Sequence, residues 1–353
     1  MKAEGRTPAG GFRGGRPSLL ALGREGLEEV CRRTGASPVQ AGRIRRRLLA
    51  GADPWEDPRG GYRVPRRLRE RLQEEFEELS LVSLRRVAAP DGSEKHLLRL
   101  ADGETVEAVR LPGSAAPSAC LSSQVGCGVG CRFCASGLEG VARNLQAHEI
   151  LEQVALLRRH GPVRRLVFMG AGEPSHNLPA LAEALPVLRD EADLGPRNLL
   201  VSTVGPAAAI HRLAGLGLKF TLALSLHCLD PELRAELIPS QAQVEPRSLL
   251  EAADAFYRRT GRSYQVEVVL LAGLNDSRAD ARELARALRG RRAHLSLIAW
   301  NPVPGLPFER PSQAAVRAFL EVLHEEGTSC TLRRTVGGAA EAACGQLRAR
   351  LRV

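Results

Sequence analysis

In Cys127-Gly-Val-Gly-Cys131-Arg-Phe-Cys134, three thiols form a C-x3-C-x2-C array, and the run contains no fourth ligand. A cubane iron–sulfur cluster takes four thiolates, so three leave one iron open to a molecule that brings its own nitrogen and oxygen. A structural zinc site is the competing reading, but zinc closes a tetrahedron with four Cys or His ligands, usually as two paired clusters. His148 is the candidate fourth ligand for zinc, and it falls in a run that reads as a helix.

Outward from this array, β-rich runs alternate with helical ones. Strands are expected over Ala119–Val125, Arg165–Met169, Leu199–Thr203, Phe220–Leu226, Gln265–Leu271 and Leu295–Ala299. Helices are expected over Ala147–Arg159, Leu178–Arg189, Pro206–Leu213, Pro246–Thr260 and Arg278–Leu288. Six such units predict an α/β fold, a partial (β/α)6 barrel over residues 114–335, with its reactive residues at the C-terminal strand ends. Met169-Gly-Ala-Gly-Glu-Pro174 falls at one such end, where Gly172 lets the backbone approach a ligand and Glu173 can accept hydrogen bonds from an ammonium. Ser202, Ser225, Leu226, His227 and Asn301 fall at other ends, as ligand contacts or as polar groups closing the barrel mouth.

Upstream, residues 1–16 are rich in Gly, Arg and Pro and read as a flexible basic tail. Residues 17–80 read as a small helical domain, broken by Gly35, Pro38, Gly51 and Pro54. Residues 81–113 read as an antiparallel β linker with turns at Asp91-Gly92 and Asp102-Gly103, and 336–353 as a separate C-terminal segment. Fifty Lys+Arg against 40 Asp+Glu give a net charge of +10, concentrated in Arg43, Arg45, Arg46 and Arg47 and in Arg63, Arg66, Arg67, Arg69 and Arg71. Such clusters are either solvated helix faces or a phosphate-binding surface.

With 44% hydrophobic residues and no run of 18 apolar ones, the chain reads as globular and cytoplasmic, without a membrane partner. Eight cysteines without a secretion signal do not suggest a disulfide framework; Cys31, Cys228 and Cys330 read as small core residues.

Phe133 before the third cysteine resembles the radical S-adenosylmethionine (SAM) signature. Cys120-Leu-Ser-Ser-Gln-Val-Gly-Cys127, Met169-Gly-Ala-Gly-Glu-Pro174, Ser225-Leu-His227, Trp300-Asn-Pro-Val-Pro304 and Ala342-Ala-Cys344-Gly-Gln-Leu347 follow in the order found in the RlmN/Cfr family of radical SAM adenine RNA methyltransferases. The resemblance runs from about Ser18 to about Leu347. It implies a [4Fe–4S] cluster on Cys127, Cys131 and Cys134, and two SAM molecules per turnover held by the strand-end residues. It further implies a helical domain that binds structured RNA, and a small electron carrier such as flavodoxin. Cys344 would take a methyl group, a radical on that methyl would add to adenine, and Cys120 would release the product through a transient disulfide. Glu107, in Thr-Val-Glu-Ala-Val-Arg-Leu-Pro, matches the proton acceptor.

The implied target is carbon 2 of an adenine in 23S rRNA, with tRNA left open as a further substrate and carbon 8 as the alternative. Ala171, His227-Cys228-Leu229 and Thr335-Val-Gly-Gly-Ala-Ala-Glu341 depart from the family pattern, the last beside the methyl-carrying thiol. A radical SAM enzyme acting on a small molecule or peptide would share the cluster but need neither Cys120 nor Cys344. A metal-stabilised RNA-binding protein would turn over no SAM.

Overall fold

The computed structural model describes residues 15–58, 60–113, 116–338 and 341–347, so nearly all of the expected tail over 1–16, and the end of the C-terminal segment, lie outside the described residues. The chain opens with three helices, α1 (Gly23–Arg33), α2 (Val39–Leu49) and α3 (Arg66–Glu75). Each buries one stripe at helical spacing: Leu27 and Cys31, then Ala41, Ile44 and Leu48, then Leu68 and Leu72. These side chains belong to the same continuous core as the barrel.

Strands β1 (Val82–Ala88), β2 (Glu94–Arg99) and β3 (Thr105–Leu111) form an antiparallel meander. Its turns are set by Asp91 and Asp102, whose carboxylates accept the backbone N–H groups of Ser93 and Glu104. The meander is continuous with the main sheet, because β3 pairs antiparallel with β4 (Ser118–Cys120). From β4 the sheet runs parallel through β7 (Arg165–Phe168), β8 (Leu199–Thr203), β9 (Thr221–Ser225), β10 (Tyr264–Leu270), β11 (Ala293–Ala299) and β12 (Cys330–Leu332). The ten-stranded sheet keeps two free ends, β1 and β12, so the barrel is open. All five residues of β8 are buried, as expected of a parallel strand covered on both faces.

The connecting helices are α4 (Ala147–Arg158), α5 (Leu178–Asp190), α6 (Ala207–Gly215), α7 (Pro231–Leu237), α8 (Pro246–Thr260), α9 (Arg278–Leu288) and α10 (Gln313–Glu325). Three expectations change in detail. The strand expected over Ala119–Val125 is two strands, β4 and β5 (Gln124–Gly126), and β5 leaves the barrel to form a hairpin with β6 (Val141–Asn144). A seventh parallel strand, β12, follows α10, and α7 adds a short helix after β9.

Glu152 on α4 ties the helical region to the barrel. Its carboxylate accepts from Ser80 N at 2.6 Å, Leu81 N at 2.8 Å and the Ser18 hydroxyl. Arg45, expected on the basic face of α2, is instead 2% exposed, with its Nε 2.6 Å from Glu191 Oε2. Removing one partner of such a pair strands the other charge in the interior. Glu191→Ala is therefore expected to cost about 3–5 kcal/mol, read as a lower urea midpoint, while Arg46→Ala stays within about 0.5 kcal/mol. Among the described residues, no helix is long and apolar enough to cross a membrane.

Candidate active site

The β5–β6 hairpin frames the cysteine array. At its mouth Gly126 has φ +83°, and a Cβ there would overlap the carbonyl oxygen of Gly140, whose partner across the hairpin is Cys127 N at 2.9 Å. Gly126→Ala is expected to displace the loop at a cost of about 1–3 kcal/mol, seen as a lower melting temperature and less iron retained per chain. Within the loop, Cys134 N donates to Cys131 O at 3.1 Å and Arg132 N donates to Leu237 O at 2.9 Å, anchoring the loop to the end of α7.

Cys127, Cys131 and Cys134 all line one open cavity. Burial pushes all three thiols up, Cys127 to about 12. Bound iron would supply the positive charge that makes buried thiolates tolerable. Among the described residues no three His, Cys, Asp or Glu side chains converge to hold a single metal ion. Three thiolates on one loop are the donor set of a cluster with one open iron, whereas structural zinc takes four Cys or His ligands. His148, on α4, does not line this cavity. The donor set therefore fits an iron–sulfur cluster with three protein ligands.

Across the cavity, β7 leads into Met169, Gly170, Gly172 and Glu173, all of which line it. Gly172 has φ +107°, and a Cβ would stand 2.7 Å from the Gln124 backbone nitrogen and the Ser123 hydroxyl. Gln124 in turn holds the next residue, its Oε1 accepting from Glu173 N at 2.8 Å. The Glu173 carboxylate is 3% exposed and fixed by Ser175 N at 3.0 Å and Val204 N at 3.1 Å. Burial raises its pKa, against those hydrogen bonds and one from Thr203. It is a rigid, partly desolvated acceptor suited to an ammonium.

The Ser202 and Ser225 hydroxyls lie 3.0 Å apart on the same wall. His227 also lines it, with φ +67° and its ring edge-on to Phe133 at 4.8 Å between centroids. Burial pushes its pKa down to about 3, and Nδ1 accepts from Val269 N at 3.3 Å, so the neutral ring keeps its proton on Nε2. Two expected contacts lie behind the wall. The Leu226 side chain is fully buried in the barrel core, and its carbonyl accepts from Arg234 Nε at 3.1 Å. Asn301 donates to Cys344 O at 3.1 Å and accepts from Arg310 and Thr335, so it holds the loop that carries Cys344.

That loop is braced on both sides. Ala135 N donates to Gly345 O at 2.8 Å and the Ser136 hydroxyl to Leu347 O at 2.6 Å, while Gln346 Nε2 donates to Pro302 O at 2.8 Å. Cys344 is thereby held on the cavity wall with the three array thiols, where solvent reaches it. The packed surroundings still push its thiol up, and Arg333 opposes them.

Cys120 lies at the end of β4 among Val109, Val167, Leu200, Ala342 and Leu347. Burial pushes its thiol up to about 12, the field of Cys344 adds to this, and Arg333 lowers it. Both thiols are free. Glu107, on β3, is 1% exposed and paired with Lys95 at 3.1 Å; it does not line the cavity.

Three further residues were not singled out by sequence. Glu267 lines the cavity from the middle of β10, and a charge inside Val266-Glu267-Val268-Val269 was the available signal. Trp300, inside a quoted motif, donates from Nε1 to Phe133 O at 2.9 Å and so backs the array loop. Arg333 follows the short strand β12, and no sequence pattern marks it.

Residues 121–288 match the model of the Radical SAM superfamily. A protein of Rhodopirellula baltica named "Probable dual-specificity RNA methyltransferase RlmN" is 42% identical over 94% of this chain and 90% of its own length. One of the same name from Gloeobacter violaceus is 47% identical over 76% of this chain and 77% of its own. A "Probable RNA methyltransferase" of Thiobacillus denitrificans is 42% identical, covering 92% of this chain and 90% of its own. The crystal structure of a radical SAM methyltransferase from Sphaerobacter thermophilus superposes with a TM-score of 0.86 at 35% identity, covering 95% of this chain and all of that one.

Proposed function

Since the chain belongs to the RlmN/Cfr family of radical SAM RNA methyltransferases, we propose that it methylates carbon 2 of an adenine in 23S rRNA and in tRNA, through a methyl group carried on Cys344. The observation that carries this reading is Cys344 on the wall of the cavity that Cys127, Cys131 and Cys134 also line. The name "dual-specificity", borne by two relatives, supports a second RNA substrate.

Carbon 2 of adenine is electron-poor and does not attack the SAM methyl group, so a one-step polar transfer is closed. The Cys344 thiolate instead displaces the methyl group from one SAM. A cluster held by Cys127, Cys131 and Cys134 would supply the electron that cleaves a second SAM, and the carbon radical so formed would remove hydrogen from the S-methyl group. The radical left on the methyl carbon of Cys344 adds to adenine, Glu107 takes the ring proton once its pairing with Lys95 opens, and the adduct's unpaired electron would return to the oxidised cluster. Cys120 then attacks the Cys344 sulfur and frees the methylated base. Glu173 receives the SAM ammonium, and Ser202, Ser225 and His227 hold its polar groups.

RNA reaches this mouth across residues 17–80, where the exposed Arg43, Arg46, Arg66 and Arg67 neutralise phosphates without reading sequence. A flavodoxin-like carrier in the cytoplasm provides the electron. The test is mass spectrometry of nucleosides after anaerobic incubation of reconstituted protein with methyl-labelled SAM, reductant and RNA lacking the modification. Label in 2-methyladenosine is expected. Label in 8-methyladenosine would move the protein to the other branch, and 5′-deoxyadenosine without labelled RNA would overturn the reading.

A further inference from the structure

We propose that Arg333, held by Glu267, is a positioning residue for the two-thiol chemistry: its guanidinium provides the positive charge that lets the buried Cys120 attack Cys344 as a thiolate. This deepens the reading above and rests on it.

The need for a cation follows from where Cys120 lies. Its side-chain neighbours are apolar, burial and the field of Cys344 push the thiol up, and only the Met169 backbone N–H and the Arg333 charge act the other way. The attack that frees the RNA requires the thiolate. In that step an S–S bond forms between Cys120 and Cys344, and the S–C bond to the nucleoside breaks with its electron pair staying on carbon, which takes a proton. The two sulfurs are oxidised to a disulfide and the carbon is reduced, so no outside oxidant is needed.

Arg333 meets the need by geometry. Its backbone N–H donates to Leu297 O at 2.8 Å, which fixes it just past β12. Nη1 then reaches Glu267 Oε2 at 3.3 Å and Met169 Sδ at 3.4 Å. Both contacts line the cavity with Cys344, and Met169 also packs against the apolar group that holds Cys120. The guanidinium therefore stands where the two thiol environments meet, and its field favours the charged form of each.

The other charged groups facing this point set the balance. Glu267, from β10, opposes the thiolate on Cys344 and orients Arg333. Arg165, from β7, acts on both Arg333 and Glu267. Cys134 is the array thiol whose proton affinity responds to Cys344. Arg333 is thus the cation that acts on both reacting sulfurs.

The test follows the covalent enzyme–RNA adduct by denaturing gel and the S-methyl group on Cys344 by intact-protein mass. Cys120→Ala first establishes that an unresolved adduct accumulates. Arg333→Met is then expected to methylate Cys344 more slowly but still to completion, accumulate the same adduct and resolve it at least about tenfold more slowly at pH 7, since each pK unit is a factor of ten in thiolate. Its curve of resolution rate against pH should be displaced to higher pH than that of the unmodified protein, and Arg333→Lys should recover most of the rate. Arg333→Gln repeats the charge loss with a polar side chain should the methionine variant fold poorly. Resolution by Arg333→Met or Arg333→Gln at the unmodified protein's rate and pH profile would overturn the inference alone. No adduct in Cys120→Ala would overturn the two-thiol reading, and the inference with it.

Discussion

Alanine at Cys344 is expected to bring RNA methylation to background, and alanine at Cys120 to stop the reaction with the protein still attached to RNA. Removing a covalent nucleophile costs on the order of 10⁴-fold or more, because no other group can take its step. The two thiols differ in setting as they do in proposed role. Cys344 is solvent-accessible on the cavity wall, where a SAM methyl group can reach it, whereas Cys120 is 9% exposed behind it. Radiolabelled RNA and a denaturing gel separate the outcomes: no adduct for Cys344→Ala, a persistent one for Cys120→Ala. Full-rate methylation by either variant would remove the cysteine route and favour an activity that needs the cluster alone.

The second large effect concerns the cluster thiols. A protein with Cys127, Cys131 and Cys134 all replaced by alanine is expected to bind no iron after reconstitution and to cleave no SAM. Its stability should nonetheless match that of the metal-free protein within about 1 kcal/mol, because a buried protonated cysteine behaves as a small apolar residue. The intact protein loaded with iron and sulfide should melt higher than either, since a group that binds only the folded chain stabilises it by mass action. Iron and sulfide assays with matched melting curves check both parts. Iron retained at the unmodified level would mean that other residues hold the metal.

The parts of the fold visible in sequence are those governed by local pattern. Tripled thiols, the Gly-Ala-Gly turn before Glu173 and apolar runs such as Leu199–Thr203 are written within a few residues. Strand β12 escaped because Cys330-Thr331-Leu332 is three residues at a sheet edge, partly to fully exposed, with no period to read. The run Ala119–Val125 reads as one strand because its apolar content continues through the point where the chain leaves β4 for the hairpin.

Charge misled where the partner is distant. Arg45 looks like its neighbours Arg43 and Arg46, and only Glu191, 146 residues further on, makes it an interior residue. Leu226 and Asn301 stand at strand ends as expected, but strand-end position does not say which way a side chain turns. Leu226 turns into the core, and Asn301 holds the backbone of Cys344.

The brace between Ser136 and Leu347 spans 211 residues. At translation rates of about 5–20 residues per second, the array loop therefore leaves the ribosome about 10–40 s before the segment that closes over it. For that interval the nascent chain presents its three thiols without Cys344 beside them, so a cluster can be delivered before the methyl-carrying thiol is in place.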